Sequence, residues 1–179
     1  MNINEVKTAI KIGDFVLKKN DRNKIDIKYL PNLSKNILED DSGRVYIFVV
    51  DGIIKKIGGS TSKGGIKETM KFYISSMAGS PGPLRFIIHL LIAQALQKGS
   101  KVELYMIVAP KIKAKVPGLF DYHEVEMASF KEMENFCKQD YYSKEGRYPD
   151  WNFQENKEEY PKKLYKQYLS YHEERIRRK

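Results

Sequence analysis

Apolar residues along this 179-residue chain change their spacing several times, and each change marks an element. Over residues 4–19, Val6, Ile10, Val16 and Leu17 fall near helical spacing with lysines between them, which predicts a short amphipathic helix. Residues 20–43 are polar, and Pro31 and the run Asp40-Asp41-Ser42-Gly43 mark turns. Residues 44–50 (RVYIFVV) are dense in β-branched side chains and read as a strand. Asp51-Gly52 is a strong hairpin signal, with the return strand at 53–57. Gly58, Gly59, Gly64 and Gly65 make a flexible connection to a short helix at 66–77. Ser80-Pro81-Gly82-Pro83 punctuates the chain before an apolar helix at 84–97, closed by Gly99. Residues 101–108 (KVELYMIV) form a third strand, 111–117 (KIKAKVP) a basic loop and 127–142 a helix. A polar loop leads to Pro149-Asp150-Trp151-Asn152. The tail from 157 reads as a basic amphipathic helix, with Leu164, Tyr168, Tyr171 and Ile176 roughly on one side.

Composition narrows the function classes. With 41% hydrophobic and 31% charged residues the chain is globular, and its length suits a single domain over 1–179. The net charge of +9 favours a polyanionic partner, through phosphate neutralisation and counterion release. The lone Cys137 excludes an internal disulfide and a cysteine-based zinc site. No stretch approaches the ~18 apolar residues of a membrane span, and MNINEVKTAIK lacks the apolar core of a signal peptide. A reducing, cytoplasmic location is expected.

A few residues carry chemistry. In the hairpin, a strict two-residue loop pairs Val50 with Ile53, and side-chain alternation then puts Tyr46 and Lys56 on opposite faces. A three-residue loop, or a bulge beside Gly52, pairs Val50 with Ile54 and puts Tyr46, Phe48 and Lys56 on one face. In that case the ammonium would favour the Tyr46 phenolate and prepare a general base. The plain reading is a core tyrosine and a solvated lysine. Arg85 and His89 sit four apart, on one face of an otherwise apolar helix. Arg85 lies in the first turn, where the dipole disfavours a cation but suits a phosphate that a guanidinium can grip. Their plain reading is a rim arginine and a satisfied core histidine. On the 127–142 helix Met127, Phe130, Met133, Cys137 and Tyr141 set an apolar face. Glu134 borders it while Glu132 points to solvent, and a carboxylate at such a border can hold Mg²⁺ with waters and a substrate phosphate; its plain reading is an ordinary surface glutamate. Asn152 is placed to anchor a loop to the backbone or a phosphate.

In this order the residues resemble the GIY-YIG nuclease family. Arg44-Val45-Tyr46 fills the first motif. Lys56-Ile57-Gly58 fills the second, with lysine in place of tyrosine. Arg85, His89, Glu134 and Asn152 match the family's arginine, histidine, metal-binding glutamate and late asparagine. The resemblance covers about 43–155 and implies an α+β fold: a small, mainly antiparallel three-stranded sheet flanked by helices. Residues 1–42 and 156–179 would then be helical decorations serving DNA binding or dimerisation. The two tripeptides are degenerate. The segment from Gly58 to Arg85 is long, which leaves room for Lys63, Lys67 or Lys71 to enter the site. Lys111, Lys113 and Lys115 are further DNA-binding candidates. The resemblance implies a Mg²⁺-dependent DNA endonuclease with one divalent metal, Mn²⁺ serving as substitute, that leaves 5′-phosphate and 3′-hydroxyl ends. Tyr46 would deprotonate the water with help from Lys56, and Arg85 would stabilise the phosphate. His89 would bond near the nucleophile or phosphate, and Glu134 would hold the metal. The lack of zinc-finger cysteines or a large appended domain looks like a type II restriction endonuclease acting on double-stranded DNA as a monomer or homodimer. The alternatives are a structure-selective repair or recombination nuclease and a non-catalytic basic nucleic-acid-binding module.

Overall fold

The computed structural model describes residues 1–19, 23–78, 81–128 and 130–177; the side chains of Lys111, 126–128 and 176–177 are not among those described. Ser80 of the predicted punctuation therefore lies outside the described residues. After a 3₁₀ turn at Ile3–Glu5 come β1 (Ile10–Leu17), β2 (Ile25–Tyr29), α1 (Lys35–Glu39), β3 (Arg44–Val50), β4 (Ile53–Ser60), α2 (Gly65–Ile74) and α3 (Pro83–Gln97). They are followed by β5 (Val102–Val108), β6 (Lys111–Pro117), β7 (Tyr122–Ala128), α4 (Phe130–Glu145), α5 (Phe153–Asn156) and α6 (Lys162–Arg177).

Five strands form one antiparallel sheet in the order β2-β1-β5-β3-β4. The fold is thus α+β and mainly antiparallel, but the sheet has five strands rather than three. The extra pair comes from the N-terminal segment, which is strand where a helix was expected. Its pairing with β5 slips between Lys11 and Gly13, so the buried Ile12 and Phe15 fall three apart. The bulge breaks the period of two that would have marked the strand. Ile10, Val16 and Leu17, which suggested the helix, are exposed.

Both faces of the sheet are covered. Tyr46, Phe48, Leu104 and Met106 pack with Ile66, Met70 and Tyr73 of α2, Phe86 and Leu90 of α3, and Leu164 of α6. On the other face Val45, Ile47, Val49, Ile54 and Ile57 pack with Ile3 and with Met133, Cys137 and Tyr141 of α4. Burial on both sides explains why β3 reads as a continuous apolar run rather than an alternation. α6 docks on α3 through Phe86, whose ring lies 5.6 Å from Tyr168 and 5.1 Å from Tyr171.

Two further expectations change. Residues 111–117 are not a loop: β6 pairs with β7 over seven positions in a separate two-stranded ribbon. The helix placed at 127–142 begins at Phe130, because 122–128 belong to β7. No described helix is long and apolar enough to cross a membrane.

Candidate active site

The β3–β4 hairpin decides whether Tyr46 and Lys56 can share a site. Its turn is the tight one: Val50 pairs with Ile53 around Asp51 (φ 48°) and Gly52 (φ 80°), the left-handed pair that a type I′ turn requires. With a regular ladder, Lys56 would then face away from Tyr46. The ladder is not regular. Val49 pairs with Ile54 and Phe48 with Lys56, leaving Lys55 as an extra residue. The odd residue required for a shared face is present, two positions beyond the expected place beside Gly52. Tyr46, Phe48 and Lys56 project from one face.

Tyr46 lies opposite Gly58, and its ring covers that glycine. A Cβ at Gly58 would sit 2.4 Å from the Tyr46 hydroxyl. The hydroxyl bonds the hydroxyl of Tyr73 at 2.7 Å. Burial, then Tyr73, then the Glu134 carboxylate push the Tyr46 phenol well above its usual range, while Arg85 pulls it down. Burial also pushes Tyr73 up to about 12. Burial thus favours the neutral phenol at Tyr46, and Arg85 is the cation that works toward its ionisation.

Lys56 is 5% exposed, and its ammonium meets no hydrogen-bond acceptor among the described residues. Burial brings it down to about 8, partly offset by Glu155 and Glu134 and reinforced by Lys138. The side chain is buried, but its Nζ is not fully enclosed; the ammonium tip still reaches solvent and is open to an anion.

β4 is the outer strand of the sheet, so groups from both faces meet at its edge. Glu134 approaches from the α4 side and is buried, whereas Glu132 is exposed. A Cβ at Gly59 would lie 2.6 Å from Glu134 Oε2, so glycine is needed for this approach. Lys138 Nζ donates to Glu134 Oε1 at 2.6 Å and to Glu155 Oε1 at 2.5 Å. Lys131 Nζ reaches Glu134 Oε2 at 3.3 Å. Burial opposes ionisation of Glu155, but the Lys138 ammonium outweighs it and holds the carboxyl below its usual value.

Asn152 is a strand anchor. Its Oδ1 accepts from the Ile57 N–H and its Nδ2 donates to the Ile57 carbonyl, each at 2.9 Å. The Trp151 N–H bonds the Lys55 carbonyl at 2.8 Å. The 151–152 segment thereby closes the open edge of β4 around its bulge.

Arg85 is exposed in the first turn of α3, with its guanidinium carbon 4.4 Å from the centre of the Phe72 ring. His89 lies four residues on but is wholly buried. Its Nε2 accepts from the Lys24 N–H at 3.2 Å, and its Nδ1 bonds the Tyr73 carbonyl at 2.8 Å. That pattern makes it a neutral Nδ1–H imidazole with both nitrogens used. Both ring nitrogens are thus engaged by backbone groups of the chain itself. His89 holds the residue whose hydroxyl meets Tyr46. Lys67 pairs with Glu39 at 3.0 Å and Lys71 with Glu68 at 2.6 Å, while Lys63 is exposed beyond β4. Lys113 pairs with Glu124 at 2.9 Å on the ribbon.

Three residues escaped the sequence reading. Tyr73 is the last of the buried series Ile66, Thr69, Met70, Tyr73, a helical face that points to it. Lys138 is four residues from Glu134, the spacing of a helical ion pair. Glu155 arrives from a distant loop, and nothing local announces it. Among the described residues no three or more His, Cys, Asp or Glu cluster as a metal cage. One or two carboxylates do suit Mg²⁺, which keeps much of its water and leans on substrate phosphate. Glu134, with Glu155 across Lys138, is a donor set of that kind.

No family model and no curated protein matches the chain. Among solved structures it is similar to a mutant of EndoII from bacteriophage T4, with 17% identity and a TM-score of 0.55, over 84% of this chain and 95% of that one. It is also similar to restriction endonuclease HPY188I in complex with product DNA, with 19% identity and a TM-score of 0.46, over 82% of this chain and 80% of that one. These likenesses are to the fold.

Proposed function

We propose that this chain is a divalent-metal-dependent DNA endonuclease of the GIY-YIG type, acting as a sequence-specific type II restriction enzyme. The observation that carries this reading is the Lys55 bulge. It turns a tight hairpin into one that offers a tyrosine and a buried, unpaired lysine on one face, beside a carboxylate seated over Gly59. The likeness to a phage EndoII and the net charge of +9 support the same reading. A short palindromic site cut on both strands would call for two copies.

In this reading Lys56 and Arg85 receive phosphate oxygens, and their charge stabilises the anion that builds up there. Tyr46, oriented by Tyr73, takes the proton of the attacking water as its phenolate. Glu134, paired with Lys138 in the free chain, would hold a divalent ion, and a bound Mg²⁺ would supply Lewis-acid stabilisation of the phosphate. The scissile P–O bond breaks toward the 3′-oxygen, giving 5′-phosphate and 3′-hydroxyl ends.

Incubation of intact plasmid with and without EDTA tests the proposal. Discrete fragments are expected in Mg²⁺ and none in EDTA. Tyr46→Phe and Glu134→Gln should each lower the rate by two orders of magnitude or more, with duplex binding retained. Unchanged cleavage in both variants sinks the catalytic reading. Cutting only of branched or damaged DNA would point to a structure-selective nuclease instead.

A further inference from the structure

A cleft opens where α3 and α6 meet, and none of its walls comes from the β3–β4 hairpin. It holds about 560 Å³, inside the ~300–1,000 Å³ range of small-ligand sites. Segments distant in sequence are tied around it. The Lys24 N–H donates to His89 Nε2 at 3.2 Å, which fixes the entry to β2 on α3. The Met77 N–H, just past α2, donates to Asn23 Oδ1 at 3.0 Å. The Tyr171 hydroxyl of α6 donates to the Met77 carbonyl at 3.0 Å, and the Tyr171 ring packs on Phe86 of α3 with centroids 5.1 Å apart. Hydrogen bonds and ring packing hold these walls, so the cleft is pre-formed.

Its side chains select the guest. α6 turns Lys163, Lys166, Gln167, Ser170, Tyr171 and Glu174 to the cleft, the spacing of one helix face. Lys24 adds a third ammonium from outside α6. None of these three lysines has an acid partner among the described residues, and Glu174 is the one acid among the described residues of the lining. That balance favours an anion. The floor is apolar and aromatic, made by the buried Phe86 and Leu90 with the half-buried Met77 and Tyr171. A bare phosphate would leave this floor uncovered, and an apolar guest would leave three ammoniums unanswered. A nucleotide meets both demands. Its phosphate suits the lysines, its base covers an aromatic floor, and its base edge can both donate to and accept from the Gln167 amide.

We infer that the cleft between α3 and α6 is a binding site for a single nucleotide, presented either free or as an unpaired residue of a strand. The inference stands apart from the catalytic reading, since the cleft shares no residue with Tyr46, Lys56, Arg85 and Glu134.

Calorimetric titration of the full chain in EDTA tests it, because metal-dependent cleavage cannot run there. Deoxyadenosine 5′-monophosphate should bind saturably with a dissociation constant on the order of 10⁻⁴ M. Inorganic phosphate and deoxyadenosine, each meeting one half of the cleft, should bind roughly tenfold more weakly or worse. Lys163→Ala/Lys166→Ala should raise the constant for the nucleotide roughly tenfold or more, with an unchanged melting temperature because both side chains are exposed. Lys162→Ala, on α6 but outside the cleft, should leave it unchanged. A 5′-phosphorylated hexadeoxyadenylate separates the two sources. Equal affinity for both probes identifies the free nucleotide as the guest, and much tighter binding of the oligonucleotide, with the same dependence on Lys163 and Lys166, identifies a strand. The inference is overturned if neither probe binds saturably, if binding ignores Lys163 and Lys166, or if inorganic phosphate binds as well as the nucleotide. Plasmid cleavage in Mg²⁺ is a separate readout, so either reading can fail without the other.

Discussion

Lys56 is a lysine held against the usual preference of its type, with its side chain buried. Because burial brings its ammonium down to about 8, its charge is complete below that pH and fades as the pH rises through it. Tyr46 runs the opposite way, since its phenol must ionise to act as base. Cleavage should therefore rise with pH and then fall around 8, and the falling limb should move to higher pH in Lys56→Arg, whose guanidinium does not titrate there. A pH–rate profile of both proteins under single-turnover conditions measures this. His89 makes a separate forecast about stability. Burial holds it below its ordinary 6.5, against the pull of the Tyr73 carbonyl. Below 6.5 the unfolded chain takes up a proton that the folded chain refuses, so its contribution is whole above that pH and is lost as pH falls. The urea midpoint should drop between neutral and mildly acidic pH, and His89→Gln should flatten that drop while lowering the midpoint at neutral pH.

Among the elements, β4 gathers most of the site and shows where sequence legibility ends. The hairpin, α2, α3, β5 and the body of α4 follow from apolar spacing and punctuation. So does the orientation of Glu134 relative to Glu132. The Lys55 bulge does not, because an inserted residue leaves composition unchanged and only the pairing partner reveals it. The bulge in β1 hides that strand for the same reason. For β6, the alternation from Lys111 to Val116 is a strand signature, but the lysines give the segment the composition of a loop. Glu155 and Lys138 meet only after α4 and the 151–156 segment have folded onto the β4 edge. Asn152 is the tie that makes this edge reproducible. Asn152→Ala would strip partners from the Ile57 N–H and carbonyl, both buried beneath a residue that is 1% exposed. The expected cost is about 2–4 kcal/mol, read from denaturant unfolding. Asn152→Asp, which keeps the acceptor but loses the donor, should not restore it. If Asn152→Ala unfolds at the wild-type midpoint, the amide is not the anchor.

For the whole molecule, what matters is where the net charge sits rather than its total. Since the 111–128 ribbon sums to zero, all of the +9 belongs to the remainder of the chain, which also holds the hairpin edge. Many of the described lysines there are committed: Lys67 to Glu39, Lys71 to Glu68, Lys138 to Glu134 and Glu155. Lys63 is exposed, follows directly after β4 and meets no acid among the described residues. If duplex DNA lies across this edge, Lys63 neutralises a phosphate, while Lys113, already held by Glu124 on the ribbon, does not. The two lysines are then separated by the salt dependence of binding. In the Glu134→Gln background, where cutting is suppressed, log Kd against log salt should be steep. Lys63→Ala should make it shallower by about one phosphate contact, and Lys113→Ala should leave it unchanged. A slope that responds to Lys113 and ignores Lys63 would move the DNA from the hairpin edge to the β6–β7 ribbon.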